Sequence, residues 1–434
     1  MDGTRSAKRM KRFSGACPCP LPDDIVDEIL SHLPVKSLLR FRCVSRRFHA
    51  TITSSHLFQE AHFLQRKQRN KHPPRLFIRP PFGPRQPFFA WQWQWQHLIP
   101  RPPVEEIMTA RHLPHGTIFP LASKSCHGLV LLKITGHHTH YLWNPSTRHI
   151  LRLPGTDNTP PPATYGLGYC SATRRHKVVR VVGCRCCSPA TVVWEVLALD
   201  GDEPSPSSSW RPPAAAAMTP RAPPQHWHYP RENWRRGAVL CNGDLHFLQG
   251  DGDIVTFNVT DESFGVSSLK PPPELQSRDD FELTELDGCL CVYTFTAVKW
   301  QLVDEEPESP TCEIWVTREA AAGSWEKLCS IEWVSVLPPD HSYLRWFWIA
   351  PIHMFSDGNN EEKKKKKIMF ATGTGHVLVF DPSVGTLEII FSPEDEAVGE
   401  YHDYSNNEVP TLGLFEESLA LVGNTSENIV FSQP

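Results

Sequence analysis

The sequence predicts an α+β multidomain protein, with a small all-α module over residues 20–66 and an all-β, propeller-like domain over 75–425. Apolar residues recur at helical spacing as far as Leu64, and that period disappears from Leu76 onward. Beyond Leu76 short β-like runs alternate with turn residues, and no long amphipathic helix intervenes, which argues against a parallel α/β sheet. A small polar turn followed by a short apolar strand returns at a loose period of roughly 45–60 residues, near the propeller range.

At 434 residues the chain exceeds one typical domain. Hydrophobic residues make up 40% and charged residues 21%, the balance of a globular protein and not of a disordered one. A net charge of −4 creates no broad positive field, which argues against the whole protein being a nucleic-acid binder. The 41 prolines fall mostly between apolar runs, as many short strands joined by loops require. The opening MDGTRSAKRMKRF is basic and lacks the apolar stretch a signal peptide carries, so residues 1–19 are expected to be a disordered basic segment. No run approaches the roughly 18 apolar residues of a membrane span. The expectation is a cytosolic or nuclear protein whose 13 cysteines are reduced thiols and whose sequons at Asn258 and Asn424 carry no glycan.

From Leu21, the segment LPDDIVDEILSHLP sets Ile25, Val26, Ile29, Leu30 and Leu33 at helical spacing, as one apolar stripe. Pro22 is tolerated at a helix start, and Asp23 and Asp24 sit where the helix dipole favours negative charge. Pro34 stops this helix and opens a second with Val35, Leu38, Leu39 and Phe41. A third stretch runs through Phe48 and Ile52. Ser54 or Ser55 can then cap a helix bearing Leu57, Phe58, Ala61 and Leu64. So few residues cannot bury all that surface among themselves. By pattern alone the module fits a helical cap on the following domain as well as a docking surface.

The residues LPDDIVDEILSHLPVKSLLRFRCVSRRFHATITSSHLF closely resemble the F-box of plant proteins. The matching positions are Leu21, Pro22, Asp23, Ile29, Leu30, Leu33, Pro34, Leu38, Leu39, Arg40, Cys43, Val44 and Ser45. Phe48 stands where many F-boxes carry Trp, which keeps a buried ring and loses only the indole N–H. The resemblance implies helix-in-groove docking on a Skp-type adaptor, and through it on a cullin-RING scaffold. The candidate adaptor contacts are Leu21, Pro22, Ile25, Ile29, Leu33, Pro34, Leu38, Leu39 and Val44. Which of them face the adaptor and which the module's own core is not readable from residue order. Arg40, Arg42, Arg46 and Arg47 read as a solvated rim.

Further along, LFI (76–78), GLVLL (128–132), YLW (141–143), KVVRVVG (177–183), DLHFL (244–248), CLCVYTF (289–295) and HVLVFD (376–381) are among the β-like runs. Asn144-Pro145, Asn242-Gly243, Asp287-Gly288 and Asp381-Pro382 are among the turns. Five or six irregular blades would account for them. SCHGLVLL with YLWNPSTRHILRLP, then YGLGYCSATRRHKVVRVVG, RGAVLCNGDLHFL, LDGCLCVY and SWEKLCSIEW resemble, in order, the plant F-box-associated interaction domain. Cys170 replaces that family's usual Asp. The resemblance implies a kelch-like propeller that binds a partner. Residues 201–230, 301–310 and 356–367 read as exposed insertions on it.

Other features carry bland readings. FFAWQWQWQ as a strand puts Phe89, Trp91, Trp93 and Trp95 on one face, which reads as core packing before it reads as a ligand platform. Cys17 with Cys19, and Cys184 with Cys186 and Cys187, lack zinc-site spacing, and His137, His138 and His140 have no paired acid. No P-loop, Gly-x-Ser-x-Gly, His-Glu-x-x-His or dinucleotide fingerprint is present. Lys363–Lys367 and the Lys8–Arg12 run serve equally as import signals or as solvated charge. No cofactor and no catalytic residue is expected. The expected function is the substrate-recognition subunit of a Skp–cullin–F-box ubiquitin ligase. Alternatives are a carbohydrate-binding F-box receptor using Trp91, Trp93 or the His226, Trp227 and His228 cluster, an oxidase-type propeller enzyme, and an F-box protein acting outside ubiquitination.

Overall fold

A computed structural model describes residues 21–68, 74–79, 87–92, 104–109, 118–134, 139–154, 163–183, 192–199, 209–214, 237–265, 268–276, 281–294, 311–317, 323–357, 365–393 and 411–420. Four helices open the described residues: α1 (Asp23–Ser31), α2 (Val35–Phe41), α3 (Arg46–Ser54) and α4 (His56–Gln68). Pro22 and Pro34 occupy the N-cap positions of α1 and α2. Ser45 Oγ accepts from the Phe48 N–H at 3.1 Å to cap α3, and Ser55, of the two serines expected to cap α4, accepts from Phe58 N at 3.3 Å.

Strands then follow in six antiparallel sheets. The first contains β1 (Arg75–Arg79), β2 (Pro87–Trp91) and β3 (Glu105–Thr109). The second is β4 (Ile118–Pro120), β5 (Val130–Ile134), β6 (His140–Asn144) and β7 (His149–Arg152). The third is β8 (Ala163–Cys170), β9 (Arg175–Gly183) and β10 (Val192–Ala198), and the fourth β11 (Val239–Cys241), β12 (Asp244–Leu248) and β13 (Ile254–Asn258). The fifth is β14 (Phe281–Leu286), β15 (Cys289–Thr294), β16 (Thr311–Thr317) and β17 (Glu326–Glu332). The sixth is β18 (Ile349–Asp357), β19 (Lys365–Thr372), β20 (Val377–Asp381) and β21 (Thr386–Phe391). A last strand, β22 (Thr411–Phe415), returns to the first sheet and pairs with β1, Arg75 opposite Phe415 and Arg79 opposite Thr411.

The apolar seams prove the ring. Period-two alternation sends Phe77 into one cluster with Trp143 of the second sheet, while its neighbours Leu76 and Ile78 join Val377 and Phe391 of the sixth. Further clusters join the second sheet to the third, the third to the fourth, the fourth to the fifth and the fifth to the sixth. Each sheet therefore buries both faces against its two neighbours, and the sixth meets the first. Among the described residues this is a six-bladed β-propeller whose ring is closed by β22.

Turn chemistry holds the blades. Asn242-Gly243 and Asp287-Gly288 both adopt positive φ at two successive residues, the hairpin turn that their sequences favour. Of the 201–230 segment residues 209–214 are described: Ser209, Arg211, Pro212 and Ala214 are exposed, and the stretch is tethered to blades 2 and 3. There the Trp210 indole donates to Pro154 O at 2.9 Å, and Arg211 exchanges backbone hydrogen bonds with Val196. At 356–367 the strands β18 and β19 extend into the segment and pair as far as Asp357 opposite Lys365, and residues 358–364 lie outside the described residues. Residues 301–310 lie outside the described residues.

Candidate docking surface

The helices of the N-terminal module build a core from Leu30, Val35, Leu38, Ile52 and Phe58, with Val26, Leu33, Leu39 and Phe48 packed at its edge. This splits the single stripe expected on α1. Val26 and Leu30 turn inward, whereas Ile25 and Ile29, four residues apart on one side of the helix, are 47% and 48% exposed. Leu21, Pro22, Pro34 and Val44 are exposed as well, Val44 by 66%. Leu33 and Leu39 are half-buried.

Leu38 departs from the expected contact set. Its side chain is 0% exposed inside the module core, so it cannot present surface to a partner. Phe41 and Leu57, apolar helix positions outside the candidate contact set, add exposed apolar surface. Both sit at spacings that suit a core position, so only the packing reveals them. Phe48 meets Phe41 edge to face with ring centroids 6.3 Å apart.

The basic rim is not wholly solvated. Arg47 reaches back to α1, with Nη1 2.5 Å from Asp23 Oδ1 and Nη2 3.2 Å from Asp27 Oδ1, and so ties α3 to the helix that carries Ile25 and Ile29. These ion pairs are solvent-exposed, so they orient α1 against α3 more than they stabilise the module.

An F-box domain model matches residues 19–60, and an F-box associated beta propeller domain model matches residues 113–389. The chain belongs to the F-box associated propeller family. A putative F-box protein of Arabidopsis thaliana is 30% identical over 195 residues, covering 44% of this chain and 47% of the relative. An F-box/kelch-repeat protein of the same plant is 23% identical over 367 residues, covering 77% of this chain and 84% of the relative. The chain spans less than half the length of the first curated relatives it matches.

The F-box is seated on the propeller by charged and aromatic contacts. Phe63 of α4 stacks on His127 of the β4–β5 turn at 4.6 Å, and His127 stacks in turn on Tyr169 at 3.9 Å. Tyr169 OH donates to Glu60 Oε1 at 3.2 Å, and Arg174 Nε lies 2.7 Å from the other oxygen of Glu60. Lys36 Nζ and Arg75 Nη2 converge on Glu105 Oε2 at 2.5 and 3.0 Å. Burial pushes the Glu105 carboxyl up, but these two cations outweigh it and hold the group below its ordinary range.

The remaining sequence candidates resolve in part. Trp91 is buried in the seam between blades 1 and 6, its ring 5.4 Å from that of Phe391, so it is core and no platform. His140 is buried with its ring 3.8 Å from that of Tyr165. Trp93, Trp95, Cys17, Cys19, His137, His138, Cys184, Cys186, Cys187, His226, Trp227 and His228 lie outside the described residues. Among the described residues no group of three or more His, Cys, Asp and Glu side chains is arranged to hold a metal.

Proposed function

We propose that this chain is the substrate-recognition subunit of a Skp–cullin–F-box ubiquitin ligase. The observation that carries the reading is the outward set of Leu21, Ile25 and Ile29 at and before α1, with Val44 exposed after α2, on an F-box whose inward residues already pack together. Apolar side chains in that number are costly to leave in water unless a partner covers them, and an apolar groove on a Skp-type adaptor supplies the cover. The propeller then holds a target protein, and the chain itself is not catalytic. Its contribution to rate is proximity, because a tethered target presents its lysines to a conjugating enzyme at high effective concentration.

The test is co-purification of the full-length chain with a Skp-type adaptor, comparing the parent with Ile25→Asp plus Ile29→Asp. Both side chains lie outside the module core, and unchanged circular dichroism of the double variant checks that the fold is kept. Loss of the adaptor supports the reading, and undiminished co-purification overturns it.

A further inference from the structure

The F-box core contains one residue from far outside it. Leu419, 1% exposed, belongs to the same apolar cluster as Leu30, Val35, Leu38, Ile52 and Phe58. Among the described residues it is the only member of that cluster from beyond the four helices. It arrives on the segment that follows β22, the strand that closes the propeller ring.

This segment is held along its length. On one side β22 pairs antiparallel with β1, and on the other Leu414 exchanges hydrogen bonds with Ser123 and Ser125 of blade 2, each 2.9 Å. Glu416 N donates to Ser125 Oγ at 3.1 Å. The Asn144 amide donates to the carbonyls of Ser418 at 3.1 Å and Ala420 at 2.8 Å, on either side of Leu419, and so fixes that side chain's depth. Ser418 N donates to Ser146 Oγ at 3.2 Å. The Glu417 carboxylate accepts from Arg66 of α4 at 2.9 Å and from Arg75 of β1 at 3.1 Å, bridging the two domains. Gly128, at φ +82°, lets the segment pass so closely that a Cβ there would lie 2.1 Å from Ser418 Cβ.

We infer that the F-box acquires its docking-competent form only when the propeller ring has closed, because the closing strand delivers the side chain that completes the F-box core. The physical reason lies in α1 and α2. These helices carry inward residues (Leu30, Val35, Leu38) and outward ones (Ile25, Ile29) on the same short segments. A module this small has little core to spare, and an unfilled Leu419 position leaves a cavity in the core that Leu30, Val35 and Leu38 share. Any chain lacking 411–420, whether unfinished or truncated, would then present a loosened F-box. The inference rests on the adaptor reading above for its functional consequence, though not for its structural one.

The experiment uses full-length chains carrying Leu419→Asp or Leu419→Ala, with hydrogen exchange measured across α1 and α2 and across β12, β15 and β19, and with adaptor affinity measured in parallel. In Leu419→Ala, exchange in α1 and α2 should rise by about 30-fold or more, the factor set by truncating a buried leucine, while blades 4–6 keep their protection. In Leu419→Asp, adaptor affinity should fall at least about tenfold as the competent fraction drops. Unchanged exchange in α1 and α2, or adaptor affinity within about twofold of the parent in Leu419→Asp, overturns the inference. Exchange that accelerates equally in all blades overturns it too, since the segment would then serve the ring alone. Should Leu419→Asp not fold, the exchange pattern of Leu419→Ala decides. A parent chain that binds no adaptor sinks the adaptor reading and leaves the exchange arm to judge the structural coupling.

Discussion

The imidazole of His127, on a propeller turn, lies stacked against the phenyl ring of Phe63, on an F-box helix, with ring centroids 4.6 Å apart. Burial, and secondarily the charge of Lys67, push the His127 pKa down to about 4. The folded protein thus prefers the neutral ring. The unfolded chain binds the extra proton first, so stability is intact above about pH 6.5 and drains as pH falls toward 4. His127→Phe keeps the stack and removes the titration. Urea unfolding of the parent and variant at pH 7 and pH 4.5 should show a smaller loss on acidification in the variant, and equal losses would refute the assignment.

Leu38 and Ile29 should separate core from surface. Leu38→Ala removes a fully buried side chain and is expected to cost about 2–5 kcal/mol of F-box stability. Ile29→Ala alters a half-exposed side chain and should stay within about 0.5 kcal/mol. Hydrogen exchange in α1 to α3 reads both, and similar effects at the two positions would contradict the split of α1 described above.

Glu262 anchors the segment that caps blade 3. Its carboxylate meets Lys177 Nζ at 2.9 Å and both terminal nitrogens of Arg211 at 2.6 and 2.7 Å, and accepts from Ala214 N at 2.9 Å. Burial raises its pKa, but Arg211, Lys177 and the Ala214 amide together bring it down to about 2. The folded value lies below the ordinary 4.5, so the contribution is complete above about pH 4.5 and is lost as pH falls toward 2. Glu262→Gln leaves Lys177 buried without its counter-charge and should cost about 3 kcal/mol at pH 7. Thermal unfolding at pH 7 and pH 3 checks this, with the difference between parent and variant shrinking at the lower pH.

Gly128 is expected to tolerate no side chain. Gly128→Ala combines a left-handed backbone with a Cβ 2.1 Å from Ser418 Cβ, so the 416–420 segment must shift. A fall in protection at residues 416–420, together with a loss of at least about 1 kcal/mol, is the expected outcome. Gly243→Ala provides a control. That position has positive φ too, but a Cβ there meets nothing within 4 Å, so it should show the backbone cost without the displacement.

Several blade elements were legible because their chemistry is local. Asn242-Gly243 and Asp287-Gly288 announce their turns, since few other residues accept positive φ at two successive positions. Runs such as DLHFL and HVLVFD appear as β12 and β20 because strands buried on both faces are nearly continuously apolar. The short strands β4, β14 and β22 were not visible in the same way. IFP is only three residues long, FELTEL carries two glutamates, and TLGLF contains Gly413, whose missing side chain leaves room for the Phe77 ring. The blade count therefore waited on the seams between sheets.

For the F-box, residue order alone showed the helical stretches, the prolines that open α1 and α2 and the set of apolar residues to be buried somewhere, but left the α4 cap between Ser54 and Ser55 and did not mark Ser45 as the α3 cap. Helical period and capping chemistry act within a few residues, so for that much one chain read in order is sufficient. It could not divide that set between a core and a partner. Ile25 and Leu38 are equally apolar and equally periodic, and only the packing of α1 to α4 sends one outward and the other inward. Nor could it anticipate Leu419, separated from Leu38 by the whole propeller and brought beside it by ring closure. Burial is a property of what lies around a residue in space, and here part of that surrounding comes from the far end of the chain.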